Sequence, residues 1–247
     1  DLPVLVAGGW FRLAADRYYV PVDVAVPGGA IPIASGQSAA TLDVLGMVRD
    51  ERGSPVGRFR QTLDLPSGAG GRLADRQVLY QSGVTLPPGR FSVKVVVREN
   101  TTGTMGSFEA PVTVPELDRM PVKVSSVVLS TQLQAASSGR REDPLVRDGV
   151  RLLPNLTHVV DRDRRLYFYY EVYDPAESRG AGPLLRTNLA FYRNRVKVYE
   201  TPVVERTAVD VPDRRAALFQ FEVPADAFAP GLYTGQVNII DSVAGRF

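Results

Sequence analysis

Five of the 21 aromatic residues sit in one run, Leu166-Tyr167-Phe168-Tyr169-Tyr170-Glu171-Val172-Tyr173. An extended chain turns alternate side chains to opposite faces. Tyr167, Tyr169 and Glu171 therefore share one face, which continues to Tyr173, and Phe168, Tyr170 and Val172 share the other. One face must be core. The other could offer an aromatic platform to a glycan or a peptide, or could pack on a neighbouring domain. Tyrosine suits either role, because its ring is apolar and its hydroxyl polar. Tyr167, Tyr169 and Tyr173 are the residues this reading singles out as a ligand or interface surface.

Elsewhere the chemistry is thin. His158 is the sole histidine and there is no cysteine. A Ser-His-Asp triad needs a base beside a nucleophile, and zinc needs three or four N, S or O ligands. Without a Gly-x-Ser-x-Gly elbow neither is expected, and His158 reads as a loop or strand-edge residue. Asp161-Arg162-Asp163 has the look of a calcium-loop fragment, but calcium takes six to eight oxygens. Here two carboxylates sit among Arg162, Arg164 and Arg165, so solvated turn charges fit better, as they do at Asp210-Val211-Pro212-Asp213. Asn100-Thr101-Thr102 and Asn155-Leu156-Thr157 match the glycosylation acceptor pattern; in a bacterial protein such matches are coincidence. No catalytic, cofactor-binding or metal-binding residue is assigned.

The elements that would position these residues repeat. Leu86-Pro87-Pro88-Gly89-Arg90-Phe91-Ser92-Val93-Lys94-Val95-Val96-Val97 returns as Phe228-Ala229-Pro230-Gly231-Leu232-Tyr233-Thr234-Gly235-Gln236-Val237-Asn238-Ile239. Each copy is a Pro-Gly turn, an aromatic residue, then alternating apolar positions. The same spacing of 142 residues separates Gly89 from Gly231 and Gly103 from Gly245. A strand-bearing repeat of this length predicts two related β-domains in tandem, residues 1–117 and 118–247, joined near Asp118. At 247 residues the chain is comfortable for two domains of about 120. Its 35 Val residues favour pleated, half-buried surfaces.

Strands are predicted at Tyr19–Val26, Ala40–Arg49, Val56–Leu65, Gln77–Val84, Phe91–Val97 and Ser107–Val114. A Gly-rich hinge, Ser67 to Gly71, falls among them. The second half has Val122–Leu133, Leu166–Tyr173, Asn188–Tyr192, Leu218–Val223 and Tyr233–Ile240. The polar run Ala135 to Pro144 is the stretch expected to be most mobile. Spacing of this kind, punctuated by Gly, Pro, Asn and Asp, is that of a sandwich, and no segment carries a helical period. The second copy stops at Phe247, the counterpart of Met105, before any partner of the closing strand Ser107–Val114; either the natural protein continues or the last strand is short. In Ig-like folds a tyrosine near the start of the sixth strand bonds back to the preceding turn. Tyr233 stands there and Phe91 in the first copy, with both rings expected to be buried.

Charge narrows the partners. Only three of the 29 basic residues are Lys, and the Arg residues are interleaved with 27 acidic ones. No basic stripe forms, which argues against nucleic acid. No apolar run reaches the ~18 residues that cross a bilayer, so membrane insertion is not expected. The chain opens at Asp1 without a Met or a signal-like segment and reads as a mature fragment or an excised piece.

Leu86-Pro87-Pro88-Gly89-Arg90-Phe91 with Val97-Arg98, Gly103, Gly106, Val114-Pro115-Glu116-Leu117 and Ser125-Ser126-Val127-Val128-Leu129 forms a wider pattern. Leu152-Leu153-Pro154 and Tyr170-Glu171-Val172-Tyr173-Asp174 continue it. This pattern resembles the region downstream of the integrin-like domain in von Willebrand factor A-related proteins of Acidobacteria and relatives. The resemblance implies an exported bacterial protein whose A-domain, with its Asp-x-Ser-x-Ser metal motif, would lie upstream. No such motif occurs in this sequence, so metal-dependent adhesion is carried over to none of its residues.

The expectation is an all-β chain of two tandem Ig-like or fibronectin III-like sandwiches. It would act without catalysis as a binding, spacer or assembly module of a secreted, periplasmic or cell-envelope protein, with protein partners. The alternative is a carbohydrate-binding module that uses an exposed aromatic strand.

Overall fold

The computed structural model describes residues 1–35, 37–66, 73–136 and 143–247. The hinge at 67–71 and most of the polar run 135–144 lie outside the described residues. The chain divides into two compact units, Asp1–Trp10 with Asp16–Pro115, and Phe11–Ala15 with Glu116–Phe247. Among the described residues the regular elements are strands, and the helical pieces are single 3-10 turns such as Leu117–Arg119.

The first half of the chain carries β1 (Leu5–Gly8), β2 (Phe11–Ala14), β3 (Arg17–Pro27), β4 (Ala39–Asp50) and β5 (Pro55–Pro66). It continues with β6 (Gln77–Leu86), β7 (Gly89–Glu99) and β8 (Met105–Val114); β2 belongs to the second unit. In the first unit β3 lies between β1 and β6, and a second sheet runs β5-β4-β7-β8. Alternation explains the core: Val20, Val22 and Val24 of β3, Leu42, Val44 and Val48 of β4, and Val93, Val95 and Val97 of β7 are buried. The first unit is thus a two-sheet β-sandwich.

The second unit is built from β9 (Lys123–Val124), β10 (Val128–Ala135), β11 (Val146–Arg147), β12 (Val150–Pro154) and β13 (Arg165–Tyr173). After the short β14 (Glu177–Ser178) and β15 (Gly182–Pro183) come β16 (Leu185–Arg193), β17 (Val196–Glu200) and β18 (Val204–Arg206). The unit ends with β19 (Ala216–Pro224) and β20 (Thr234–Asp241). One sheet runs β11-β12-β10-β13-β19, and the other has β16 paired with β17, β18 and β20. Tyr170 and Val172 of β13, Phe219 and Val223 of β19, and Leu185, Leu189 and Phe191 of β16 meet in one core. This too is a β-sandwich.

Pairing in the two units runs in parallel. β3 pairs with β1 and β6, and β13 with β10 and β19. β4 pairs with β5 and β7, and β16 with β17 and β20. Gly89 and Gly231 have φ of +151° and +156°, and Gly103 and Gly245 of +74° and +62°, backbone that side chains other than hydrogen strain to adopt. The units differ at one edge. β7 is covered by β8, whereas among the described residues β20 pairs with β16 alone, apart from an Asp241–Arg246 bridge at its end.

One predicted strand is corrected. Val122–Leu133 is broken into β9 and β10 at Ser125-Ser126. The Ser125 hydroxyl accepts the Glu171 N–H (2.9 Å) and donates to the Ser126 carbonyl (2.8 Å), so a side chain takes a ladder position there.

Candidate functional site

The aromatic strand is β13, and its two faces divide as the alternation requires. Phe168, Tyr170 and Val172 face the sandwich core, where the Tyr170 ring stacks on Phe219 at 5.4 Å. The other face does not form an exposed platform, and this corrects the aromatic-strand expectation. Tyr169 is 6% exposed and Tyr173 1%, and only Tyr167 is half-buried. Glu171 between them is itself fully buried. A buried carboxylate must find donors. Side chains two residues away on a strand lie on the same face, and the Tyr169 and Tyr173 hydroxyls each donate to Glu171 at 2.7 Å. Arg214 supplies the countercharge at 2.9 Å.

The cluster extends through Arg12, which also belongs to the second unit. Its backbone N–H donates to the Tyr173 hydroxyl (2.8 Å), and its guanidinium lies 4.6 Å above the Tyr173 ring. The same guanidinium holds Asp174 through both oxygens and donates to the Arg214 carbonyl (2.6 Å). Lys123 adds a contact to Asp174 at 3.1 Å. Burial, and then the neighbouring Glu171 charge, push the Tyr169 and Tyr173 hydroxyls well above the ordinary phenol range. The hydrogen bond from Arg12 holds the Asp174 carboxyl below its usual value, with Lys123 adding to the effect. The Glu171 carboxylate is engaged by Tyr169, Tyr173 and Arg214, while Lys123 at the margin also bonds the exposed Asp118 at 2.6 Å.

His158 and the acidic pair Asp161 and Asp163 lie exposed on the loop before β13. Among the described residues no group of three or more His, Asp or Glu could hold a metal ion. Asn155 is used by its own turn: its side-chain oxygen accepts the Thr157 and His158 N–H groups and its amide donates to the Val159 carbonyl. Glu99, buried, accepts the Thr101 and Thr102 N–H groups. Both Asn-x-Thr matches are therefore parts of side-chain-braced turns.

One open feature of the second unit is a largely apolar groove of about 480 Å³. Val127, Leu129 and Phe168 form one wall, Phe191 and Gly235 another, and the Phe228–Tyr233 turn makes the rim. Phe228 anchors that turn by packing on Phe191 and Tyr233, with ring centroids 5.0 and 5.2 Å apart. Tyr233 donates its hydroxyl to the Ala229 carbonyl at 2.6 Å, the backward bond expected of it. Its ring is only half-buried, however, whereas Phe91 is 9% exposed. Phe91 lies opposite Val112 of β8, whereas among the described residues no strand is paired across from Tyr233. Sequence reasoning passed over this groove; its trace was Gly235 in the place of Val93, a floor position without a side chain.

Compared with known proteins, the chain matches no family model and no curated protein. Among solved structures it overlaps a Bacteroides fragilis chain described as a β-galactosidase, at 18% identity and a TM-score of 0.32, over 45% of this chain and 16% of that one. A β-glucuronidase from glycoside hydrolase family 2 overlaps at 10% identity and a TM-score of 0.31, over 45% and 11% of the two chains. A chain named pT26-6p overlaps at 10% identity and a TM-score of 0.23, over 100% and 60%. This chain thus spans less than two thirds of the length of each. Overlaps this slight assign no function.

Proposed function

We propose that this chain is a non-catalytic interaction module, one that binds protein and does no chemistry on what it binds. One observation carries the reading: the groove beside β20 is lined by apolar side chains, and its ionisable members are His158, Arg162 and Tyr233 at the rim. A hydrolase needs paired carboxylates or a nucleophile with its base in such a cleft, and the lining supplies neither. The resemblance to von Willebrand factor A-related proteins supports a setting in an exported bacterial protein at the cell envelope. No helix among the described residues is long and apolar enough to cross a membrane.

The test is a three-way screen on the full chain: a displayed peptide library, a glycan array and a panel of chromogenic hydrolase substrates. Peptides should be enriched, and enrichment should fall with Leu232→Asp, a groove residue that is 90% exposed and so neutral to folding. Binding only to glycans, or turnover of any substrate, would overturn the reading.

A further inference from the structure

We propose that the outer face of the β5-β4-β7 sheet in the first unit binds an acidic segment of a partner protein, seating its apolar side chains on the sheet and its carboxylates on the surrounding cations. This adds a second surface to the interaction-module reading and is tested apart from it.

Alternation builds the face. Val44, Gly46 and Val48 of β4 and Val93, Val95 and Val97 of β7 are buried, so Leu45 and Met47, with Lys94 and Val96, turn outward. The register sets Leu45 between Arg60 of β5 and Val96 of β7, and Met47 between Arg58 and Lys94. Cross-strand partners share a face. A recess of about 720 Å³ results, with Leu45, Met47 and Val96 as its floor. Arg58 and Arg60 stand along one side, Lys94 on the other and Arg49 at one end. Leu45 and Met47 are each 38% exposed.

Most of this charge is unspent. No Asp or Glu lines the recess. Arg60 alone has a carboxylate nearby, Asp43 at 3.1 Å, and that carboxylate also accepts the Thr62 hydroxyl at 2.6 Å. Glu109 lies opposite Lys94 on β8 but is engaged by the Ser92 hydroxyl. Among the described residues Arg49, Arg58 and Lys94 have no ion-pair partner. Four cations gathered without a carboxylate between them repel one another, and each anion placed there relieves that repulsion.

The floor and walls select the kind of anion. Single-stranded nucleic acid needs aromatic rings on which to stack its bases. The one ring at this recess, Phe59, packs instead on Tyr80, with centroids 5.9 Å apart. A lipid surface needs apolar side chains that stand proud of the charges, whereas Leu45 and Met47 are shorter than the arginine arms beside them. Neighbouring strands lie about 4.8 Å apart, so the β5 and β7 walls stand about 10 Å apart, room for one extended backbone. An extended chain with three residues per turn sends one side chain down and the next two to either side. The matching partner therefore carries an apolar residue at every third place, with Asp or Glu between.

The test uses the full chain and the dye-labelled peptide Asp-Glu-Leu-Asp-Glu-Leu-Asp-Glu, read by fluorescence anisotropy. Saturable binding is expected with a Kd on the order of 50 μM at about 50 mM NaCl, weakened at least fivefold at about 300 mM. Arg58→Glu with Lys94→Glu should weaken it about tenfold, and the altered protein should instead prefer a peptide with Lys in place of each acid. Arg179→Glu with Arg195→Glu makes the same change in net charge at exposed positions of the second unit and should alter binding by less than about twofold. Replacing both peptide Leu residues by Ser should weaken binding at least about threefold. No binding at about 1 mM, equal loss in the two charge-reversed proteins, or equal affinity for the Ser peptide would overturn the proposal. So would tighter binding to a single-stranded oligonucleotide or to phosphatidylglycerol vesicles than to the peptide. Any of these failures leaves the groove of the second unit, and the module reading built on it, untouched. Glycan binding or turnover in the earlier screen would remove that reading without changing the affinity measured at this face.

Discussion

Glu171→Ala measures what the buried cluster contributes. Removing the carboxylate leaves the Tyr169 and Tyr173 hydroxyls without their acceptor and Arg214 without its countercharge. Each orphaned hydroxyl costs about 1–2 kcal/mol, and the unpaired cation about as much again. Against this, the variant no longer has to bury an ionised carboxylate. Arg214, 15% exposed at its side chain, keeps a 3.2 Å bond to the Arg12 carbonyl. The net loss should be about 4 kcal/mol, within the range for breaking a buried ion pair from one side. Glu171→Gln keeps the shape and one acceptor oxygen and should lose about 2 kcal/mol. Urea unfolding followed by far-UV circular dichroism reports both units, while Trp10, the sole tryptophan, belongs to the first. The Glu171 variants should move the circular-dichroism transition of the second unit and leave the Trp10 transition in place. A triple variant, Glu171→Met with Tyr169→Phe and Tyr173→Phe, removes both sides of each bond. It should recover most of the loss, because apolar replacement of a whole buried ionic group is often close to neutral. A Glu171→Ala loss under about 1 kcal/mol would refute the claim that this carboxylate organises β13.

Three further outcomes follow from local geometry. Asp174 has a folded-state pKa below its unfolded value, so its stabilising contribution is complete above about pH 4 and is lost as pH falls through the folded value; Asp174→Asn should flatten the acid limb of a stability-against-pH curve measured in urea. Gly106→Ala puts a methyl 1.9 Å from the Leu2 carbonyl oxygen and must displace the start of the chain, at about 2 kcal/mol, whereas Gly235→Ala meets only the Phe191 ring at 3.6 Å and should change thermal stability by under about 0.5 kcal/mol. Tyr233→Phe loses one bond to Ala229 at an exposed site, where water replaces the partner, and should cost about 0.5 kcal/mol by the same melts.

The strands β4 and β7 were legible because burial of one sheet face imposes a period of two, whereas β3 and β13, buried on both faces, were legible as apolar and aromatic runs. The break at Ser125 was not, since nothing in Val122–Leu133 says that a serine hydroxyl will replace a backbone group. Part of the Glu171 cluster was written in the sequence as Tyr169-x-Glu171-x-Tyr173. A charge in the middle of an aromatic strand must be paired if that face is covered, and only the residues two before and two after can reach it along the strand. Of the two readings of Tyr167, Tyr169 and Tyr173, the exposed platform ignored the cost of a carboxylate on an otherwise apolar face, and packing did not. Arg12 and Arg214 could not be found this way. They lie 159 and 43 residues from Glu171, among 26 arginines with no spacing rule to select two. The groove was hidden for a different reason. A repeat draws attention to what matches, and this site is made by what fails to match: Gly235 for Val93, Tyr233 for Phe91, and an edge at β20 where β7 has a neighbour. Scaffold residues conserve their partners from one unit to the other. A position whose counterpart is buried, and which is itself half-open, marks where the two units differ.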